Sequence, residues 1–184
     1  KWSLIDNGQQ VCTDLLCSNS IQINKDNTTS VVEFDVSIND AGQLAVVWSQ
    51  LEAVSGFVSI WASLYDGSNW SLAIENIGST GFTRTGDADS PQIEIDKNGN
   101  VVSIWREHEN NKANSRIKTN IYKLADDASS MSEGEWIEAP TYIDNDPQAL
   151  SRPPKLEMNK SGIAVAVWAQ KTSDFYYIYS NHLI

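Results

Sequence analysis

Three segments of the chain share one pattern, and this repeat restricts the possible folds more than any other feature of the sequence. In each segment two apolar residues flank a third residue, Asn or Asp follows, Gly comes three positions later, and Trp comes six positions after the Gly. The glycines are Gly42, Gly99 and Gly162, so the pattern recurs after 57 and then 63 residues. Recurrence at such a period is typical of proteins built from stacked structural repeats.

Each copy of the pattern predicts a β-hairpin. The apolar residues before the Asn or Asp alternate with period two, as they do in a half-buried strand. The Asn/Asp-x-x-Gly stretch fits a short turn in which the Gly adopts a positive φ. The residues after the Gly are rich in β-branched side chains and end at Trp48, Trp105 or Trp168, which favours a second strand over a helix.

Two further elements recur after each hairpin. A third strand is predicted at residues 60–65, 117–122 and 178–183. Segments that open with Trp predict a fourth strand at residues 70–73 and 136–139, and residues 2–5 match them. Repeated four-stranded sheets with a period of about 40 to 60 residues are typical of β-propeller blades. A β-sandwich is the alternative, but it needs no repeat and does not explain the aligned tryptophans.

The sequence therefore predicts an all-β fold of four-stranded antiparallel propeller blades, with three blade-equivalents in a single domain over residues 1–184. The expected parts are an outer strand at 1–5, an inserted connection at 6–33, blades at 34–77 and 91–143, and an incomplete blade at 155–184. Known propellers have about four to eight blades. Two chains could therefore close a six-bladed ring as a homodimer, with residues 1–5 completing the last blade of the partner. The alternative is that the sequence is an excerpt of a longer polypeptide.

The run from Pro91 to Trp105, followed by Trp136, resembles the repeats of bacterial sialidase-like propellers, and the similarity extends over nearly the whole chain apart from residues 4–33. The resemblance implies the propeller fold, and it makes a sialidase-like glycoside hydrolase acting on surface glycans the alternative function. The Asp-box pattern of sialidases, Ser-x-Asp-x-Gly-x-Thr-Trp, is not met by the stretch from Asp66 to Trp70. The arginines also form no recognisable cluster for a substrate carboxylate.

The charge of the chain argues against nucleic acid as a partner. Thirteen Lys and Arg residues against 24 Asp and Glu residues give a net charge of −11, which has the wrong sign for binding a phosphate backbone. Membrane insertion is not expected either, because the longest apolar run, Ile163 to Ala169, is far shorter than the roughly 20 residues that a spanning helix needs.

The two cysteines, Cys12 and Cys17, are close enough in sequence to close a small disulfide loop, with two unrelated thiols as the alternative. A disulfide implies an oxidising compartment, so we expect a secreted, periplasmic or cell-surface protein. The cysteines and the distant His108 and His182 do not have the spacing of a zinc site. No metal and no other cofactor is expected.

Candidate binding residues come from the face of a propeller that carries the connections between blades and those between second and third strands. Carboxylates beside arginines there could bind a sugar or act as general acid and base, and a solvated acidic rim is the alternative. The candidates are Arg84, Asp87, Asp89, Arg106, Glu107, His108, Asp144, Asp146 and Arg152. No catalytic residue is assigned, and the expected function is a non-enzymatic extracytoplasmic binding scaffold for a glycan or a protein.

Two recurring positions next to these candidates are expected to serve the fold. Each second strand ends in Trp-x-Gln or Trp-x-Glu, with Gln50, Glu107 and Gln170 at the last position. These side chains are expected to bond to the backbone of a neighbouring blade or to form a polar ring, and the tryptophans to pack between blades. The stretch from Asp96 to Asn100 carries the alternating oxygens of a calcium loop. A plain turn is expected there, because the other two repeats lack that set.

Overall fold

In a computed structural model, the structure describes residues 22–24, 29–70, 75–78, 86–109, 114–125, 130–137 and 140–183. Their regular secondary structure is β-strand except for one 3-10 turn, Met131–Glu133. The all-β prediction is confirmed. None of the helical structure in these ranges is long and apolar enough to cross a bilayer. The predicted strand at residues 1–5, the Cys12–Cys17 disulfide and Arg84 lie outside the described residues.

The first repeat is an antiparallel sheet whose strands pair in chain order. Its strands are β1 (Val31–Ile38), β2 (Leu44–Leu51), β3 (Val58–Tyr65) and β4 (Glu75–Asn76). We call this sheet repeat 1. The ring centroids of Trp70 and Tyr65 are 5.3 Å apart with tilted planes, and the two residues form an isolated β-bridge. The fourth strand described in this repeat is Glu75–Asn76, and residues 71–73 of the predicted strand at 70–73 lie outside the described residues.

The second and third repeats follow the same plan. Repeat 2 contains β5 (Ala88–Ile95), β6 (Val101–His108), β7 (Ser115–Lys123), β8 (Glu135–Trp136) and β9 (Thr141–Tyr142). Repeat 3 contains β10 (Leu150–Ser151), β11 (Lys155–Met158), β12 (Ala164–Thr172) and β13 (Phe175–Leu183). β10 pairs with β12 and, through Leu150, with Ser115 of β7, so the two repeats share a nine-stranded sheet.

The hairpin turns are nearly identical in the three repeats. The side-chain oxygen of Asn39 accepts the backbone N–H groups of the residues two and four positions later, at 3.0 and 3.1 Å, and Asp96 and Asn159 do the same. The glycine of each turn has a positive φ, at 78°, 91° and 85°. At Asp96 the structure shows the expected turn, in which the carboxylate accepts backbone N–H groups of the same turn.

The repeats pack face to face, and alternate residues of β6 show how. Val101 and Trp105 point into a buried cluster shared with repeat 1, whereas Val102 and Ile104 point into a cluster shared with repeat 3. Trp168 lies in this second cluster. The predicted role of these tryptophans in packing between units is therefore confirmed for repeats 2 and 3. Burying one large apolar side chain in such a layer stabilises a fold by about 1.5–3 kcal/mol.

The glutamines after the tryptophans bond differently from what the sequence predicts. The indole N–H of Trp48 donates to Gln50 Oε1 at 2.9 Å, and that of Trp168 donates to Gln170 Oε1 at 3.0 Å. Residues two apart on a strand share a face. Each glutamine therefore accepts a hydrogen bond from the tryptophan of its own strand, where the sequence predicts a bond to the backbone of a neighbouring repeat. Gln50 also donates to the carbonyl oxygen of Thr29, just before β1.

The first strands of repeats 1 and 2 begin earlier than the predicted bounds at residues 34 and 91. β1 begins at Val31, and β5 begins at Ala88 with a register shift between Asp89 and Gln92. At this shift Ser90 has a φ of 52°, in a region that L residues rarely adopt, and Pro91 has no N–H to pair. An irregular start hides the alternation of a strand, which explains why the sequence pattern begins later.

Candidate functional site

Most of the candidate residues lie at the end of repeats 2 and 3 that is opposite the hairpin turns. Ala88 at the start of β5 pairs with Glu107 near the end of β6, and His108 pairs with Ser115 at the start of β7. The connection from residue 143 to residue 149 reaches the same end, since the carbonyl oxygen of Ala149 accepts the N–H of Ser115. This geometry agrees with the expectation that the connections between repeats and those between second and third strands lie at the same end.

Arg106 and Asp89 form a two-point ion pair at this end. Arg106 Nε donates to Asp89 Oδ1 at 2.8 Å, and Nη2 donates to Oδ2 at 2.7 Å. The two residues are directly opposite in the β5–β6 register. Arg106 Nη1 donates to the carbonyl oxygen of Ser151 in repeat 3 at 3.4 Å. The pair therefore faces the junction between repeats 2 and 3, and its fork geometry fixes both side chains.

His108 shares the Asp89 carboxylate, with Nε2 at 3.0 Å from Oδ2, while its Nδ1 is buried with no hydrogen-bond partner in the described parts of the chain. Burial alone would raise the pKa of Asp89, but the hydrogen bonds and charges of Arg106 and His108 outweigh it and hold that pKa below its usual value. A general acid needs a raised pKa. Asp89 is therefore suited to accepting hydrogen bonds and not to donating a proton.

Arg152 and Tyr176 form a further pair, at the same end of repeat 3. Arg152 lies at the position in repeat 3 that Asp89 holds in repeat 2, and its guanidinium carbon is 4.5 Å from the ring centroid of Tyr176. Both side chains are exposed. Arg152 also follows Ser151, the residue that accepts the Arg106 hydrogen bond. We call the following set the junction patch: Asp89, Arg106, His108, Arg152 and Tyr176.

Glu107 belongs to a second cluster, on the opposite face of repeat 2. It is buried, and its Oε1 lies 2.9 Å from Lys118 Nζ. Glu107 Oε2 and the indole nitrogen of Trp105 are buried, and neither has a hydrogen-bond partner among the residues that the structure describes. In repeats 1 and 3 a glutamine accepts the hydrogen bond from the equivalent indole. Repeat 2 has Glu107 at the position of that glutamine, and Glu107 pairs with Lys118 instead.

Asp144 holds the connection after β9 against β7. Arg116 Nε donates to its Oδ1 at 2.7 Å, and the backbone N–H of Ile117 donates to its Oδ2 at 2.6 Å. The Asp144 side chain is 0% exposed. A carboxylate with both oxygens occupied and no access to solvent stabilises the fold and cannot contact a ligand.

Tyr142 links the two ion pairs of this second cluster. The guanidinium carbon of Arg116 is 3.8 Å from its ring centroid, Lys118 Nζ is 4.8 Å away, and its hydroxyl donates to Glu109 at 3.3 Å. Burial, with the negative charges of Glu107 and Glu109, raises the pKa of Tyr142 well above its ordinary value. The hydroxyl therefore stays protonated at physiological pH and acts as a donor.

The remaining candidates serve local structure. Asp87 Oδ1 accepts the backbone N–H of Val58 in repeat 1 at 3.0 Å, which ties the incoming connection to the preceding repeat. Asp146 Oδ1 accepts the N–H of Gln148 at 2.9 Å within its own turn. Across the described residues, His, Cys, Asp and Glu form no group of three or more that could hold a metal ion.

The repeats supply an internal comparison for these charged positions, because the register aligns them residue by residue. Arg106 corresponds to Ser49 and Ala169, and Lys118 corresponds to Trp61 and Tyr179. The counterparts of Glu107, Arg116 and His108 in repeat 1 are Gln50, Ser59 and Leu51. Repeat 1 thus forms the same strands with uncharged residues at all five of these positions. The Asp89–Arg106 and Glu107–Lys118 ion pairs of repeat 2 therefore have no counterpart in repeat 1.

Sequence reasoning missed four residues at this end, namely Arg116, Lys118, Tyr142 and Tyr176. A signal was present, because Arg116 and Lys118 pair across the β6–β7 ladder with Glu107 and Trp105. Finding it requires the register of the third strand, which the repeat pattern alone does not fix.

A polar ladder along the first strands was also missed. Ser37 Oγ donates to Glu94 at 2.9 Å, and Lys155 Nζ donates to Gln92 at 3.1 Å, so equivalent strands are linked from repeat to repeat. Burial is the main cause that raises the pKa of Glu94, and the charges of Glu157 and Asp35 add to it.

No protein-family model matches the sequence, and no curated protein matches it. An endo-arabinase structure from Bacteroides thetaiotaomicron VPI-5482 is similar over 85% of this chain and 55% of its own, with 12% identity and a TM-score of 0.46. A protein of unknown function from Dyadobacter fermentans DSM 18053 is similar over 86% and 67%, with 10% identity and a TM-score of 0.39. The chain thus spans about half to two thirds of the length of these two structures. These values assign it to no family.

Proposed function

We propose that this chain is a non-enzymatic scaffold of β-propeller blades that binds a glycan through the junction patch, outside the cytoplasm. Repeats 1, 2 and 3 are the blades in this proposal, and the shared register and the two inter-repeat clusters support it. The extracytoplasmic location rests on the Cys12–Cys17 pair, which is a sequence argument.

The observation that carries the proposal is the presence in repeat 2 of an Asp89–Arg106 ion pair that has no counterpart in repeat 1. If the fold needed an ion pair where Asp89 and Arg106 meet, repeat 1 would need one too, but Ser49 replaces the arginine there and pairs with Glu33. Exchanging a partly buried ion pair for apolar groups is often neutral or stabilising. Charged groups that do not improve stability are common where a surface serves recognition.

The composition of the junction patch favours a sugar as ligand. Asp89 and Arg106 present an acceptor and donors in one plane, which suits neighbouring hydroxyl groups. Tyr176 offers an exposed ring face beside Arg152, and such faces supply contact area at a low entropic cost. A protein ligand is the alternative, and the experiment below separates the two.

Glycoside hydrolysis is the second candidate, because the resemblance to sialidase-like repeats suggests it. The chemistry needs one carboxylic acid with a raised pKa and a second, free carboxylate. In the clusters described here, Asp89 has a lowered pKa, and Asp144 and Glu107 are buried in ion pairs. We expect no turnover of a fluorogenic sialoside. Cleavage that disappears in Arg106→Ala or Glu107→Ala would favour the hydrolase instead.

A glycan array probed with the wild-type chain, Tyr176→Ala, Arg152→Ala and the control Asp146→Ala tests the proposal. We expect binding to a restricted set of saccharides, a reduction of at least about tenfold in both patch variants, and no change in the control, whose carboxylate serves only its own turn. Absence of saccharide binding by the wild-type chain, or equal binding by all variants, would contradict it.

A further inference from the structure

Each end of the stack of repeats exposes an apolar face. On β1 the side chains of Asp35 and Ser37 bond to repeat 2, so the alternate side chains point away from the stack. Those alternate residues are Phe34, Val36 and Ile38, and all three are exposed. We call the face that they form with Leu44 and Val46 of β2 the head face.

The repeat shows what this kind of face does elsewhere in the molecule. Val36 corresponds to Ile93 in repeat 2 and to Leu156 in repeat 3. Ile93 is 1% exposed and Leu156 is 5% exposed, because each packs on the preceding repeat, whereas Val36 is 51% exposed. The head face therefore has the residue types of an inter-repeat contact, but no other repeat packs on it within the part of the chain that the structure describes.

The opposite end shows the complementary pattern. Ile178 of β13 corresponds to Ile60 and Ile117, which are both 0% exposed in the clusters between repeats, whereas Ile178 is 75% exposed. Val165 and Val167 of β12 are half-buried on the same side. We call Val165, Val167 and Ile178 the tail face. It is more polar at one edge, where His182 corresponds to Leu64 and Ile121.

We propose that the head face of one chain packs on the tail face of a second copy of this chain. The proposed contact would continue a series of two contacts that are already present in the structure. Repeat 1 packs on repeat 2, and repeat 2 packs on repeat 3, each time with a tail-type surface against a head-type surface. The free head and tail faces are the two halves of a third contact of the same type. Exposed apolar surfaces of this kind mark association sites.

Head-to-tail contact makes a prediction that same-face contact does not. Two chains related by a two-fold axis would form two copies of the head–tail interface, and each chain would contribute one head and one tail to them. A charge on either face alone would then disrupt both interfaces of a dimer. A mixture of a head variant with a tail variant would regain one unmodified interface and one interface with opposite charges.

Sedimentation of the intact chain at micromolar concentrations tests this proposal, with Val36→Lys as the head variant and Ile178→Asp as the tail variant. Both positions are exposed in the single chain, so circular dichroism should show both variants folded. The control is Val54→Asp, at an exposed residue in the turn between β2 and β3.

We expect the wild-type chain and Val54→Asp to sediment at about twice the 20.4 kDa of one chain. Each single variant should weaken the dimer at least about 30-fold, and an equimolar mixture of the two should restore dimers. A wild-type monomer would overturn the proposal. Dissociation by only one of the two variants would overturn it as well, since that result would indicate contact between identical faces.

Discussion

Asp144 and Asp146 are two residues apart in one connection, yet their carboxylates have very different surroundings. Asp144 is buried against Arg116 and the N–H of Ile117, whereas Asp146 accepts one N–H in its own turn. Removing one partner of a buried ion pair leaves the other charge uncompensated.

We therefore expect Asp144→Ala to lower the free energy of unfolding by about 3–5 kcal/mol, and the matched variant Asp146→Ala to lower it by about 1 kcal/mol. Urea denaturation followed by tryptophan fluorescence measures both values. Equal losses in the two variants would mean that Asp144 does not carry the structural role described here.

The raised pKa of Glu94 predicts a contribution to stability that depends on pH. Its pKa is raised by burial and by the charges of Glu157 and Asp35, so the folded chain favours the protonated form. The stability linked to Glu94 is therefore fully present below the pKa of the unfolded chain, and it is lost as the pH rises through the higher folded value.

Glu94→Gln should consequently raise the melting temperature at pH 7, by an amount that corresponds to less than about 1 kcal/mol, and should have no effect near pH 3. The amide oxygen can still accept the hydrogen bond from Ser37. Thermal denaturation across this pH range, with the exposed Glu135→Gln as control, gives the comparison. A destabilised variant at pH 7 would show that the ionised form is the one the fold favours.

At the level of elements, the hairpin turns allow a matched comparison of two glycines. Gly42 and Gly162 have positive φ angles of 78° and 85°, which strain any L side chain. A Cβ at Gly42 would meet no atom within 4 Å, whereas one at Gly162 would lie 3.0 Å from Asp96 Oδ2 in the neighbouring turn.

Gly42→Ala should therefore destabilise the fold by about 1 kcal/mol, from backbone strain alone. Gly162→Ala should cost more, because it also disturbs the contact between the turns of repeats 2 and 3. Denaturant melts of the two variants decide this, and a larger loss in Gly42→Ala would contradict the described packing of the turns.

The hairpins were predictable from sequence because their signals are local. Asn or Asp, Gly and Trp recur at fixed spacing, and the strand alternation around Gly42, Gly99 and Gly162 is strong. The ion pairs were only partly predictable. Asp89 and Arg106 are 17 positions apart and Arg116 and Asp144 are 28 apart, so their pairing depends on strand register and on a bulge at Ser90 that the pattern does not reveal.

At the level of the whole molecule, the stacking of the repeats buries the apolar faces between repeats 1 and 2 and between repeats 2 and 3. The clusters between repeats are apolar, whereas the Asp89–Arg106 ion pair of repeat 2 has no equivalent in repeat 1. We therefore propose that the shared residues build the fold and that the residues that differ bind the ligand.

The most direct test transfers residues of repeat 1 into repeat 2, in the triple variant Asp89→Val, Arg106→Ser and His108→Leu. The account predicts a folded protein whose melting temperature lies within about 5 °C of the wild-type value, because the replaced ion pair is not required by the fold. It also predicts the loss of saccharide binding. An unfolded triple variant, or one that still binds the same saccharides, would contradict the claim.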